Sequence, residues 1–215
     1  MSVYFNKVTQ QGKIISVNHK EGSTISSITL ETTVSRDQSN RNRLTIMFFG
    51  EMYTEALKYS AGDFVTVSGT LQSHESKNLS GKTSIKQDVV ATKIEPTRSR
   101  MELLINNYKS ISKMYDKLND VIIAGDIISI YEQTDKIKLI GVKTYANDSI
   151  QTVSVTIYQQ PYNSEYFDSL TIGDNIIVIG TIQTKLKKTE NKSFIYENFI
   201  GMEFATIDDS TIIEM

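Results

Sequence analysis

The sequence predicts a mainly β protein with two tandem five-stranded barrels joined by an α-helical connector. Short β-branched segments alternate with turn residues over most of the chain. Two motifs also occur twice, in the same order. Gly-x-Ile-Ile-Ser begins at Gly12 and again at Gly125, and Gly-Asp occurs at Gly62-Asp63 and again at Gly173-Asp174. We therefore predict a first barrel at 1–96, a connector at 97–119, a second barrel at 120–207 and an acidic C-terminal tail at 208–215.

Each copy contains five segments with the alternation of a strand. In the first copy these are residues 12–18, 24–34, 43–49, 63–73 and 84–95. In the second copy they are residues 122–131, 137–145, 151–159, 174–185 and 194–207. A short helix is predicted before each Gly-Asp motif, at 51–59 and 164–170. Five strands in fewer than about 100 residues are typical of a small closed or partly open barrel.

The segment between the copies has the pattern of a helix. Pro96 ends the first copy, and Ser99 followed by Glu102 is typical of a capping box. Apolar side chains then recur every three or four residues and form one seam: Leu104, Tyr108, Ile111, Tyr115 and Leu118. The seam predicts either packing against the barrels or a short coiled-coil-like contact between two chains, which would make a homo-oligomer.

Composition excludes several classes of chemistry. The 215 residues include no Cys and two His, with 23 Lys+Arg against 25 Asp+Glu. A disulfide framework and thiolate metal sites are excluded, and a His-ligated zinc or a His-based triad has almost no residues to use. Phosphate-loop, dinucleotide and metalloprotease motifs are absent. We expect no enzyme activity, no cofactor and no metal, and, without an apolar run of about 20 residues, a cytoplasmic protein with no membrane association.

An ordered set of motifs in the first copy points to a known family. A strand ends in Phe49-Gly50, a short helix and Gly62-Asp63 follow, and Val65–Leu71 has the form Val-x-Val-x-Gly-x-Leu. This set resembles the single-stranded DNA-binding protein family over about residues 8–96. The resemblance is weaker over 121–207, where Gln160-Pro161 replaces Phe-Gly. The chain has no Trp, on which that family commonly stacks bases.

The resemblance implies two OB-folds that bind single-stranded DNA with little sequence preference, in replication or recombination. The divergence and a composition rich in Asn, Lys, Ile and Tyr suggest a bacteriophage or mobile-element origin, and therefore a bacterial or infected host cell. A hypothesis of another class is a protein-interaction or structural module, because OB-folds also occur in assemblies without nucleic acid. The acidic tail is similar in kind to tails that recruit replication or recombination proteins; the alternative is a frayed or docked end.

Binding a single strand requires aromatic rings for stacking and cations for phosphates. Alternation on residues 43–49 places Leu44, Ile46 and Phe48 on the core face. Arg43, Met47 and Phe49 then lie on the face away from the core. Applying the offset between Gly62 and Gly173 to this strand assigns Tyr158 to the position of Met47. The alternative for Phe49 and Tyr158 is packing beneath a loop. Cations and rings in or beside the predicted loops complete the site: Arg36, Arg41, Lys77, Lys82 and Lys86 in the first copy, and Lys185, Lys187, Lys188, Lys192, Phe194 and Tyr196 in the second.

The net charge of −2 is unevenly distributed along the chain. Residues 1–95 contain 11 Lys+Arg and 9 Asp+Glu, whereas residues 121–215 contain 7 and 13. We therefore expect the first barrel to hold most of the nucleic acid, with modest affinity that depends on stacking and falls with salt.

Overall fold

Strands with apolar residues at alternate positions build the architecture. The computed structural model describes residues 2–33, 41–77, 83–97, 119–146, 148–188 and 193–207. The first barrel contains β1 (Phe5–His19), β2 (Ile25–Thr33), β3 (Arg41–Phe49), α1 (Glu51–Ala56), β4 (Phe64–Lys77) and β5 (Thr83–Pro96). The second contains β6 (Asn119–Thr134), β7 (Ile137–Ala146), β8 (Ser149–Tyr158), α2 (Ser164–Ser169), β9 (Asn175–Lys188) and β10 (Ser193–Thr206). Residues 98–118 of the predicted connector and the tail at 208–215 lie outside the described residues.

Each barrel closes through its long first strand. β1 pairs with both β2 and β4, and the order around the barrel is β1-β2-β3-β5-β4. The closing contact is a short parallel pairing, Ile46 with Val89 between β3 and β5, and Val155 with Phe199 between β8 and β10. This is the five-stranded OB-fold topology, and the prediction of a mainly β chain with two such barrels is confirmed.

The alternation on β3 separates the core from an outer face. Leu44, Ile46 and Phe48 are fully buried. Arg43 and Thr45, on either side of Leu44, are exposed. Because successive side chains of a strand point to opposite faces, the outer face of β3 remains free of core packing.

The repeated Gly-Asp motif is the turn that begins β4 and β9. Gly62 and Gly173 have φ angles of 106° and 101°, a region that side chains other than glycine's rarely adopt. The carboxylates of Asp63 and Asp174 accept the backbone N–H three residues earlier, at 2.8 and 2.7 Å. Both residues therefore serve the turn itself, as turn glycines and aspartates commonly do.

β1 and β6 join the two barrels into one sheet by antiparallel pairing. At the centre of this pairing Val8 lies opposite Val121. These two residues are equivalent in the two copies, because they have the same separation in sequence as Gly12 and Gly125. A pseudo-twofold axis therefore passes through the Val8–Val121 pair and relates one barrel to the other.

Two asparagines at equivalent positions support this junction. The Asn6 side chain donates to the Leu71 carbonyl at 2.8 Å and accepts the Leu71 N–H at 2.9 Å. Asn119 makes the same two bonds to the backbone of Ile182, at 2.7 and 3.0 Å. Gln10 donates to Asn119 across the junction at 2.9 Å. Each amide thus satisfies a backbone N–H and a carbonyl that would otherwise be costly to bury.

The N-terminal residues are attached to the second barrel. The Tyr4 hydroxyl donates to Asp126 at 2.6 Å, and its ring meets Tyr145 edge-on at 4.9 Å. Asn175 bonds both the N–H and the carbonyl of Val3, at 3.0 and 3.1 Å. Desolvation acts to raise the pKa of Asp126, but hydrogen bonds from Tyr4 and Asn175 outweigh it and hold that pKa below its usual value. The segment therefore adds a second connection between the barrels.

Candidate nucleic-acid interface

The edge of β3 is extended by the β9–β10 hairpin of the other barrel. The N–H of Arg43 donates to Thr184 Oγ1 at 3.3 Å, and the N–H of Thr45 donates to Glu197 Oε1 at 2.8 Å. The Asn42 side chain accepts the Thr184 N–H at 2.7 Å. The hairpin therefore lies beside β3, where side chains rather than a partner strand satisfy the β3 backbone.

The β4–β5 hairpin extends β8 in the same way. The N–H of Ser73 donates to Gln151 Oε1 at 3.0 Å, and the Ser73 hydroxyl donates to the Thr152 carbonyl. Gln87 accepts the Ser154 N–H at 2.6 Å and donates to the Ser154 carbonyl at 3.1 Å. The pseudo-twofold axis relates this contact to the contact between the β9–β10 hairpin and β3. The two hairpins and the strand faces between them therefore border one cleft.

This cleft has a volume of about 910 Å³ and is lined by both barrels. Small residues line part of it: Ser16, Thr29, Ser129 and Gly141. A Cβ on Gly141 would collide with the Ser129 hydroxyl. Small side chains at these positions leave the strand surface open to a flat ligand, as glycines often do where a ligand approaches a sheet closely.

Cations and aromatic rings line the same cleft. Arg43 is half exposed, with its Nε 3.4 Å from Glu31 Oε2, and Lys86 is exposed. The rings are those of Tyr131, which is 65% exposed, and Tyr196, which is 44% exposed. Both of these cations belong to the first barrel and both rings to the second. The cleft thus combines the two groups that a single-strand site needs, each from a different barrel.

Two carboxyl groups also line the cleft. Burial raises the pKa of Glu197 to about 7, the Thr45 N–H acts against this, and the nearby Asp88 adds to it. Asp88 itself lies 3.3 Å from His74. The negative charge of the cleft is therefore smaller near neutral pH than a count of its acids indicates.

The structure places Arg43, Lys86 and Tyr196 of the predicted site in this cleft. Met47 and Phe49 lie further along the outer face of β3. Met47 is half-buried and Phe49 is 44% exposed, so its ring is not a core side chain. Those two positions therefore extend the cleft surface along β3.

Tyr158 does not lie at the position that the sequence offset assigned to it. In the pairing of the strands, Ile25 lies opposite Phe49 and Ile137 lies opposite Tyr158. Tyr158 is therefore the counterpart of Phe49, and the offset taken from the Gly-Asp turns was wrong for this strand. The counterpart of Met47 is Thr156, which is buried. The half-buried Tyr158 still shares a strand face with the cleft residue Ser154.

Several residues predicted in or beside loops lie on strands, because the strands extend further than predicted. These residues are Arg41, Lys77, Lys185, Lys187, Lys188 and Phe194, and the structure describes only their backbone. Arg36, Lys82 and Lys192 lie outside the described residues. Of the predicted loop cations, Lys86 is therefore the one whose side chain the described residues place in the cleft.

Sequence reasoning missed Tyr131, Gln87 and Glu197. Tyr131 follows Ser129 at the spacing of two that places both on one strand face, a signal available in the sequence. Gln87 and Glu197 had no such signal, because their partners Ser154 and Thr45 belong to the opposite barrel.

Two features are absent from the part of the chain that the structure describes. Within these ranges, no group of three or more His, Cys, Asp or Glu side chains could hold a metal ion. Among the same residues, no helix has the length and apolar character needed to cross a membrane.

Comparisons with known proteins identify the fold. No protein-family model matches the chain, and no curated protein matches it in sequence. The chain is similar in structure to a deletion mutant of the single-stranded DNA binding protein from Thermus aquaticus, with a TM-score of 0.68 and 15% identity over 99% of this chain and 98% of that one. The wild-type Thermus aquaticus protein gives a TM-score of 0.64 at 15% identity, over 95% of this chain and 94% of that one. The match over nearly the full length of both chains shows that the tandem OB-fold arrangement is shared.

Proposed function

We propose that this chain is a non-catalytic single-stranded DNA-binding protein with little sequence preference. The observation that supports it best is the cleft between the barrels, where Arg43 and Lys86 face the same space as Tyr131 and Tyr196. The Thermus aquaticus proteins with the same fold are single-stranded DNA binding proteins, which agrees with this proposal.

In the proposed mechanism, the two barrels supply different parts of the binding energy. Arg43 and Lys86 contact phosphates, which positions the strand without reading its sequence. Tyr131 and Tyr196 stack on bases, at about 1–3 kcal/mol per base. Stacking tolerates any base because every base has a π-face, so the selectivity is for unpaired strands rather than for sequence.

The proposed path continues from the cleft along β3 of the first barrel. Met47 and Phe49 lie on the same outer face as Arg43. Of the predicted cations, Arg41 belongs to β3 itself, and Lys77, Lys185, Lys187 and Lys188 belong to the two hairpins that border the cleft. The first barrel, which contains both cleft cations, would hold most of the phosphate charge.

The cellular role that we propose is protection of single strands in replication or recombination, in the cytoplasm of a bacterium or of an infected host cell. A bacteriophage or mobile-element origin and a partner-binding tail at 208–215 belong to this proposal. Self-association belongs to it as well. Its support is an apolar surface, because Phe5, Ile122 and Ile179 share the outer face of the joined sheet. Phe5 and Ile179 are 44% and 42% exposed.

A salt titration tests the proposal. We expect fluorescent oligo-dT to bind at low salt and its affinity to fall as salt increases, with a log–log slope of about −1.4 or steeper from two phosphate contacts. A parallel titration with oligo-rU measures the preference between DNA and RNA. Absence of oligo-dT binding at low salt, or binding that is insensitive to salt, would favour the protein-interaction alternative.

A tyrosine variant tests the stacking surface. Tyr196→Ala is expected to weaken oligo-dT binding about tenfold with the salt slope unchanged, because stacking contributes about 1–3 kcal/mol per base and releases no counterions. Tyr162→Ala is the matched control, since Tyr162 is 70% exposed and does not line the cleft. Equal affinity of the two variants in fluorescence anisotropy would remove Tyr196 from the interface.

A further inference from the structure

Gln87 and Glu197 occupy equivalent places in the two halves of the cleft. Gln87 lies on the hairpin beside β8 and Glu197 on the hairpin beside β3. Gln87 accepts the N–H of Ser154 and donates to its carbonyl, at 2.6 and 3.1 Å. Glu197 accepts the N–H of Thr45 at 2.8 Å. Thr45 is the counterpart of Ser154, because these two residues have the same separation in sequence as Phe49 and Tyr158.

The two sites differ in the group that accompanies the acceptor oxygen, which is an amide NH2 on Gln87 and a second carboxyl oxygen on Glu197. The N–H and C=O of a strand residue point to the same side, so the Thr45 carbonyl is directed toward the hairpin that contains Glu197. An ionised carboxylate accepts hydrogen bonds but cannot donate one. A protonated carboxylic acid has one acceptor and one donor, which is the pattern that the Gln87 amide uses on Ser154.

We propose that Glu197 is a positioning residue that acts as a neutral carboxylic acid and donates its proton to the Thr45 carbonyl, so that docking of the β9–β10 hairpin on β3 is coupled to proton uptake. Proton uptake would then also accompany the binding of a polyanionic strand in the cleft. This second half rests on the proposed function, whereas the coupling to hairpin docking does not.

Of the charged groups around Glu197, the one that shifts its pKa is a carboxylate. Asp88 of β5 is the carboxylate that raises its pKa, and it is shared with His74 of β4. Arg43 of β3 is engaged by Glu31 of β2. From the paired strand β9, Thr184 lies opposite Glu197 and contributes a neutral hydroxyl. Among the described side chains, Lys86 of β5 is the other cation in the cleft. A bound phosphate would add negative charge and favour the protonated form further.

The direction of the pH dependence follows from linkage. The pKa of Glu197 is raised from 4.5 to about 7 on folding, so the native state holds a proton that the unfolded chain releases. The resulting stability is fully present below pH 4.5 and is lost as the pH rises through about 7.

Thermal unfolding of the wild type and of Glu197→Gln across about pH 5.5 to about pH 8.5 tests the coupling. Glutamine keeps the donor at every pH, so we expect Glu197→Gln to match the wild type in acid and to be more stable at the alkaline end. From the acid end to the alkaline end of this range, the ratio of the wild-type unfolding equilibrium constant to that of the variant should increase by about tenfold or more.

The equivalent site provides a second variant. Gln87→Glu should introduce the same loss of stability with rising pH into the other half of the cleft. A ¹³C NMR titration of the wild-type protein should show one glutamate carboxyl that titrates near neutral pH and is absent from Glu197→Gln. Parallel stability curves for wild type and Glu197→Gln, or no such carboxyl signal, would overturn the proposal.

Oligo-dT affinity across the same pH range separates this proposal from the proposed function. Wild-type affinity should fall more than Glu197→Gln affinity as pH rises. If neither protein binds oligo-dT while their stability curves diverge, the proposed function is wrong and the proton coupling stands. If both bind and their stability curves are parallel, the proton coupling is wrong and the proposed function stands.

Discussion

Reversing both cleft cations, as Arg43→Glu with Lys86→Glu, is expected to weaken oligo-dT binding about a hundredfold at about 0.1 M salt. Each phosphate contact contributes a slope of about −0.7 to the dependence of log affinity on log salt. Two lost contacts therefore account for roughly 25-fold of this, counted over the tenfold interval from about 1 M down to about 0.1 M salt. Repulsion between the new carboxylates and the phosphates supplies the rest. The salt slope itself should become shallower by about 1.4.

A matched control separates contact from overall charge. Lys58→Glu with Lys93→Glu changes the net charge from −2 to −6, as the cleft variant does. Lys58 and Lys93 are exposed and ion-paired, with Glu55 at 2.6 Å and Glu95 at 2.7 Å, and neither lines the cleft. We expect this control to lose only a few-fold in affinity through long-range repulsion. Similar losses in the two double variants, measured by anisotropy over a salt series, would show that the cleft is not the phosphate-binding surface.

Gly180→Ala is expected to destabilise the second barrel by more than about 3 kcal/mol. A Cβ at Gly180 would lie 2.8 Å from the Ile200 carbonyl carbon and 2.9 Å from the Gly201 Cα, and closer still to the Ile200 carbonyl oxygen. These are backbone atoms of β10, so the collision can be relieved only by moving the strand away from β9. The same contact recurs at Gly69 in the first barrel, where a Cβ would meet the backbone of Val90.

Gly141→Ala is the control for this prediction. Its Cβ would meet the Ser129 hydroxyl, which can rotate, and the next nearest atoms are 3.6 Å away. We therefore expect a loss of about 1 kcal/mol or less, from the difference between a side-chain and a backbone collision. Urea unfolding followed by circular dichroism measures both variants. Equal midpoints for the two would contradict the view that the Gly180 contact constrains the barrel.

The strands and the repeat could be predicted from the sequence because their signals are local. Alternation identified Leu44, Ile46 and Phe48 as core residues, and each is fully buried. The recurring glycines were visible because a close backbone approach leaves no room for a side chain, and a positive φ is a conformation that other residues rarely adopt. Gly12 and Gly62 are examples of these two causes.

The register between the copies could not be predicted from one offset, because the copies differ in the lengths of their connections. Phe49 lies nearer in sequence to Gly62 than its counterpart Tyr158 does to Gly173. The offset that fits the Gly-Asp turns is therefore too long for the strand that precedes them. Length differences between strands leave no trace in periodicity, so the pairing of β7 with β8 was needed to find the true counterpart of Phe49.

The fold class, the two barrels and the residues that face away from their cores follow from the amino-acid sequence alone, because propensity, alternation and turn chemistry act over a few neighbouring residues. The pairing of β1 with β6 and the contact of each hairpin with the opposite barrel are visible only in the folded chain. These contacts join residues far apart in the chain, so no local pattern encodes them. They bring Arg43 and Lys86 of one barrel to the same cleft as Tyr131 and Tyr196 of the other, and they place Glu197 against Thr45.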